Sequence, residues 1–147
     1  MSREDPVGGP IRWKTHVPAR PSKIFEALNT NEGRASFWAE SAVERDGVIH
    51  FEFINGMSTS SRIIEREPER RFSIDYFGAV AAFDLEADGK GGTDVTLTHT
   101  GVDSAEWHEV YAGWLNVLFP LKAYVAFGVD LRNHDPKRTW EKGYVDQ

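Results

Sequence analysis

Apolar residues change their spacing three times along the chain. Ile11, Trp13, Thr15 and Val17 alternate with Arg12, Lys14 and His16, the period-two signature of a strand with one buried face. Pro18 ends that strand, and Pro21 falls where a first helical turn tolerates proline. Ile24, Phe25 and Leu28 then give a short helix its apolar side. Thr30 or Asn31 caps a second short helix running to about Trp38, and the Phe37-Trp38 pair at its end must find cover. From Ser41 to Val102 the signal is that of strands. Turn markers at Asp46-Gly47, Asn55-Gly56, Pro68-Glu69, Gly78 and the glycine-rich run 88–92 separate segments 41–46, 47–54, 58–67, 70–77, 79–87 and 93–101. Such spacing without intervening helices predicts an antiparallel meander. Ile49, Phe51 and Phe53 mark one inward face, Phe72, Ile74 and Tyr76 another, and Val95, Leu97 and His99 a third. The pattern does not fix the facing of 58–67 or 79–87.

The third spacing is helical. Trp107, Tyr111, Trp114, Leu118, Leu121 and Val125 follow at alternating steps of four and three, and Val110, Val117, Tyr124 and Leu131 form a second row beside them. This predicts one long amphipathic helix over 103–133, opened by a capping box of Asp103 and Glu106 and spanning about 40 Å. Pro120 removes one amide donor and crowds the Asn116 carbonyl, so a bend is expected there, where a roof over a ligand would open or tilt. The remainder, from His134 to Gln147, does not continue the pattern. The economical packing is α+β: a curved, seven-stranded antiparallel sheet wrapped around the C-terminal helix, with two short helices between strands 1 and 2. Residues 1–10 are expected to be a flexible tail and 11–147 one domain. Under the long helix lies either packed core or a ligand cavity.

Composition narrows the function classes. No apolar run approaches the roughly 18 residues of a membrane span, so none is expected. The N-terminus lacks a signal peptide's apolar segment, and with no cysteine in the chain there is no thiolate chemistry or disulfide, which fits a cytoplasmic protein. A formal net charge of −6 argues against nucleic acid as a partner. Arg62, Arg66, Arg70 and Arg71 are interleaved with Glu65, Glu67 and Glu69 and read as a self-compensating solvated face. The run 88–92 lacks the ending of a phosphate loop and reads as a hairpin turn. His16, His50, His99, His108 and His134 show no chelating spacing, so no metal site and no cofactor are expected.

The order of elements and several short motifs resemble a known group. Ile11 to Val17 followed by 21–28, the Phe37-Trp38 pair, the run from Val95 to Gly101, Gly113-Trp114, and the run from Gly128 to Pro136 are similar to those of the START-like (SRPBCC) helix-grip superfamily. That superfamily includes the birch-pollen-allergen fold and the polyketide cyclase/dehydrase proteins. The chain looks most like the family similar to the activator of the heat-shock-protein-90 ATPase. The resemblance implies a helix-grip fold with a binding cavity and no shared catalytic residue.

Three functions follow as expectations. The first is binding of a small hydrophobic or aromatic molecule between sheet and helix, with Trp38, Phe51, Phe53, Phe72, Tyr76, His99, Tyr111, Trp114 and Leu118 as wall residues. The second is a cyclase- or hydrolase-type enzyme in the same cavity, with His99 as the candidate acid/base. The third is a co-chaperone-like or stress-response module with a possible chaperone contact through an exposed apolar patch. Glu52 and Asp75 are expected to face outward, and oligomeric state leaves no mark in the pattern.

Overall fold

The computed structural model describes residues 6–147, so residues 1–5 of the expected tail lie outside the described residues. Strand β1 (Ile11–Val17) is followed by helices α1 (Pro21–Asn29) and α2 (Asn31–Phe37). The meander then runs β2 (Ser41–Arg45), β3 (Val48–Glu52), β4 (Ser58–Glu67), β5 (Arg71–Tyr76), β6 (Ala79–Ala87) and β7 (Thr93–Thr100). One antiparallel sheet results, in the order β1-β7-β6-β5-β4-β3-β2, so the first strand closes on the last. The α+β helix-grip architecture read from the pattern is the one observed.

Turn chemistry sets these boundaries. Asp46 and Gly47, both at positive φ, join β2 to β3 in the two-residue geometry that matches strand twist. Phe77 and Gly78 do the same between β5 and β6. Across the concave face the inward residues fall into ladders: Phe72 opposite Phe83, Phe83 opposite Leu97, Leu97 opposite Trp13. The two segments of unassigned facing are now placed. Ser61 and Ile63 of β4 turn inward before a bulge between Ile63 and Glu65, and β6 turns Ala79, Ala81, Phe83 and Leu85 inward.

The long helix departs from expectation at both ends and in the middle. Asp103 closes a local turn by accepting from the Ala105 amide at 3.0 Å, and no capping box forms; the helix begins at Trp107. It consists of α3 (Trp107–Gly113) and α4 (Leu115–Phe127), about 31 Å in all, and Gly128 in the left-handed conformation ends it. Leu131 is therefore exposed, beyond the helix. The discontinuity lies at Trp114, whereas Pro120 sits buried inside an unbroken α4. Glycine at 113 is the poorest helix former nearby, and the Trp114 indole is held by the sheet. By length and composition Trp107–Phe127 is apolar enough to cross a membrane, so the expectation that no stretch reaches that size fails. Within this stretch Trp107, Trp114, Leu118 and Leu121 are buried and α4 packs on β1, α1 and α2, while Phe119 and Phe127 are exposed.

The two short helices meet at close quarters. Thr30 caps α2 by accepting from the Gly33 amide at 3.0 Å, and a Cβ at Gly33 would lie 2.4 Å from the Ala27 carbonyl oxygen, so only glycine allows the approach. Arg34 is fully buried there. Its guanidinium donates to the carbonyls of Ala42 (3.1 Å) and Leu28 (2.9 Å) and to Asn31 Oδ1 (2.7 Å), tying α1, α2 and β2 together. Burial lowers its pKa to about 10, with Glu44 opposing, so the group stays charged at neutral pH. Replacing it by an apolar side chain strands the Leu28 and Ala42 carbonyls in the interior. Arg34→Met is expected to cost about 3 kcal/mol in urea denaturation; a loss under about 1 kcal/mol would show that the ties contribute little.

Candidate functional site

A cavity of about 380 Å³ lies where the break between α3 and α4 faces the open end of the sheet. Its floor is built on two indole N–H groups that must find acceptors in an apolar interior. Trp38, at the end of α2, donates to Tyr76 Oη at 3.2 Å. Trp114 donates to His99 Nδ1 at 3.0 Å. An indole only donates, so Nδ1 is the unprotonated nitrogen and Nε2 carries the proton, which it gives to the Tyr76 carbonyl at 3.2 Å. Both nitrogens of His99 are thus engaged inside the protein. Burial lowers its pKa, and the backbone contacts to Tyr76 and Ala79 only partly oppose this, so the ring is neutral. Burial likewise raises the pKa of the Tyr76 phenol.

The expected wall residues divide by depth. Trp38, Phe53, Tyr76, His99 and Trp114 line the cavity. Phe51, Phe72 and Leu118 do not: they are buried in the close-packed core behind it. Tyr111 lies on the β1 side, its ring 4.6 Å from that of Trp13 and 4.7 Å from that of Trp107, while Trp13 Nε1 donates to its carbonyl. Alternation along a strand gives the facing of a residue and not its distance from the open end. Glu52 and Asp75 are exposed, as expected. Arg66 is engaged by Glu44 and Asn29 and does not line the cavity. The glycine-rich run 88–92 is a hairpin loop in which Asp88 accepts from the Lys90 and Gly92 amides and pairs with His16.

Several lining residues left no sequence signal of a site. Phe77 holds φ at 51°, a conformation rare for a bulky residue, and presents its ring to the mouth beside Phe53 at 6.2 Å. Gly113 also lines the cavity, and a side chain there would enter open space. The aperiodic C-terminal segment forms one side of the mouth. Trp140 Nε1 donates to Glu109 Oε1 at 2.7 Å, Asn55 Nδ2 donates to Glu141 Oε1 at 2.5 Å, and Asn116 Nδ2 donates to the Gln147 carbonyl at 3.3 Å. This segment is pinned to α2 near Trp38. Arg132 donates to the Ala39 and Ala35 carbonyls, each at 2.8 Å, and holds Asp130 with two contacts of 3.0 Å. His134 bridges Glu40 and Asp130 at 2.7 Å each. Only an imidazolium donates at both nitrogens, and these two carboxylates raise its pKa, Asp130 foremost. Burial opposes ionisation of Asp130, but Arg132 and His134 outweigh it and hold its pKa at about 2.

Residues 18–126 match the family described as Activator of Hsp90 ATPase homolog 1-like protein, and the chain belongs to that family. Among solved structures, protein SSP2350 of Staphylococcus saprophyticus is 25% identical, with a TM-score of 0.73 over 84% of this chain and 96% of its own. The Aha1 protein of Colwellia psychrerythraea, solved as a dimer in solution, is 22% identical with a TM-score of 0.72, covering 81% of this chain and 97% of its own. CalU16 of Micromonospora echinospora is 22% identical with a TM-score of 0.65, covering 79% and 73%. No functionally curated protein matches the chain.

Two outcomes follow from the site's hydrogen bonds. His99→Leu leaves the Trp114 indole without an acceptor and is expected to cost about 2 kcal/mol in chemical denaturation; an unchanged midpoint would remove His99 from the floor's support. The latch at His134 gives a pH signature. Its raised folded pKa makes its stabilisation complete below the ordinary value of 6.5 and lost as pH climbs through the folded value. Asp130 contributes above its ordinary 3.8 and loses its effect as pH falls toward 2. Wild type should therefore lose more stability between pH 6 and 8.5 than His134→Gln does, measured in urea at each pH. Parallel pH profiles for the two proteins would contradict the latch.

Proposed function

We propose that the protein binds a small hydrophobic or aromatic molecule in the cavity between the sheet and the broken long helix. The observation that carries this reading is the cavity itself: about 380 Å³, walled by Trp38, Phe53, Tyr76, Phe77 and Trp114 and bordered by a C-terminal segment held through polar contacts. That volume lies within the usual 300–1,000 Å³ of small-molecule sites. A floor of indoles and a phenol offers flat apolar surface to an aromatic ring, and its hydrogen bonds hold those rings in place before any ligand enters.

Acid/base catalysis at His99 is the weaker reading. Protonating Nδ1 would require surrendering the Trp114 bond, and the Nε2 proton already has an acceptor. No exposed aromatic patch forms around Phe37 and Trp38, since both are buried, so that feature gives a chaperone contact no support.

The test uses N-phenyl-1-naphthylamine, a neutral dye that brightens in apolar sites. Wild type should bind it with saturable enhancement, and Gly113→Leu, whose side chain enters the cavity, should weaken binding at least tenfold. The same substitution should leave thermal stability equal or higher, because leucine is about 1 kcal/mol better than glycine in a helix. Equal dye binding by the two proteins would place the dye elsewhere, and no binding by wild type would overturn the proposal.

A further inference from the structure

Among the described residues the charged groups that line the cavity are all of one sign: Glu106, Glu109 and Glu141 border its mouth, and no lysine or arginine does. Among the described residues none of the three carboxylates is ion-paired; Glu109 accepts from the Trp140 indole, and Glu141 from the neutral donors of Asn55, Thr139 and its own backbone. The interior adds no positive charge, since the Trp114 indole keeps His99 in its neutral form. The rings of Trp38, Phe53, Phe77 and Trp114 are among the lining groups, and the negative centre of an aromatic face attracts cations. Deeper in, Tyr76 is nine-tenths buried, and its hydroxyl oxygen accepts from Trp38 while its own proton has no acceptor among the described residues. Tyr76 lines the cavity, so a ligand acceptor that reaches its hydroxyl would take that proton.

We propose that the ligand class of this cavity is a small aromatic or apolar amine, positively charged at neutral pH, with a hydrogen-bond acceptor at its buried end. This inference rests on the binding reading above and adds charge and orientation to it. The acceptor meets the Tyr76 hydroxyl, the apolar body lies on Trp38 and Trp114, and the ammonium stays at the mouth among the carboxylates and the Trp140 ring. An anionic ligand of the same shape would enter against three carboxylates with no cation to receive it. The carboxylates are exposed and screened by water, so each contributes little and the preference is the sum of three. The formal net charge of −6 acts in the same direction at long range.

Three probes that share a methoxyindole body isolate the charge: 5-methoxytryptamine, a cation; 5-methoxytryptophol, neutral; and 5-methoxyindole-3-acetate, an anion. Each is titrated as a competitor of N-phenyl-1-naphthylamine on the full chain. The amine should compete about tenfold better than the alcohol, and the acetate should be the weakest. In the triple variant Glu106→Gln, Glu109→Gln, Glu141→Gln the amide oxygens still accept from Trp140 and Asn55. That variant should bind the alcohol as wild type does and lose the preference for the amine. High salt should shrink the preference in wild type alone. Equal competition by all three probes, tighter binding of the acetate, or a preference that survives in the triple variant would overturn the charge assignment while leaving the cavity reading intact. Failure of the dye itself to bind would overturn both.

Discussion

Two indole N–H groups, those of Trp38 and Trp114, enter an interior with few acceptors, and the arrangement of helices over sheet depends on satisfying them. A buried donor left alone costs roughly as much as a strong hydrogen bond contributes. Tyr76 Oη and His99 Nδ1 are the acceptors, and His99 passes the constraint on by donating to the Tyr76 carbonyl. The end of α2, the discontinuity in the long helix, and strands β5 and β7 are thereby fixed to one another at a single point. The helix breaks at Trp114 and not at Pro120 because this is where it is held to the sheet. Space beside that point is left over once the bonds are made. The cavity floor is therefore a consequence of polar satisfaction, with hydrophobic packing completing it.

The mouth is built on a different principle. Its parts come from the β3–β4 loop, the β5–β6 turn, α3 and the C-terminal segment, and they meet through exposed polar contacts worth little individually. Arg132 and His134 anchor that segment at its near end, to α2, and the far end rests on Asn55, Glu109 and Asn116. Such a segment opens at low cost compared with the core. Phe77 fits the same picture: a bulky ring is kept at a left-handed turn position that asparagine or glycine would occupy without strain. The strain is tolerated where it places an aromatic face at the entrance.

Most of the fold was legible because turn residues and alternation are local signals. Asp46 with Gly47, and Gly78 after Tyr76, fix strand ends to within a residue or two, and the inward faces of β3, β5 and β7 follow from period two. The wall of the cavity was legible only in part. Phe72 and Tyr76 share one face of β5, yet Phe72 packs under α1 and Tyr76 meets open space; their difference lies in the position of distant elements along the strand. Tyr111 fits the helical stripe as well as Trp114 does, but it falls over β1. Gly128 ended the helix at Phe127, four residues before the apolar spacing did, because Leu131 continues the period by chance of composition. Trp140 and Glu141 belong to a segment with no periodicity, so nothing local marks them as one side of the mouth.

The grip of sheet on helix sets the place of the cavity, and the side chains at its mouth set the charge around it. The fold leaves occupant chemistry to residues that carry little of its stability. In this chain the buried floor contributes shape, flat aromatic surface and one unclaimed hydroxyl proton, and the exposed mouth contributes three carboxylates. Exchanging the mouth's charges would barely disturb a core whose cohesion rests on Arg34, the paired indoles and the apolar ladders across the sheet. The charges at the mouth and the cohesion of the fold are thus carried by separate residues. That separation means the charge at the mouth can change at little cost to the grip of sheet on helix.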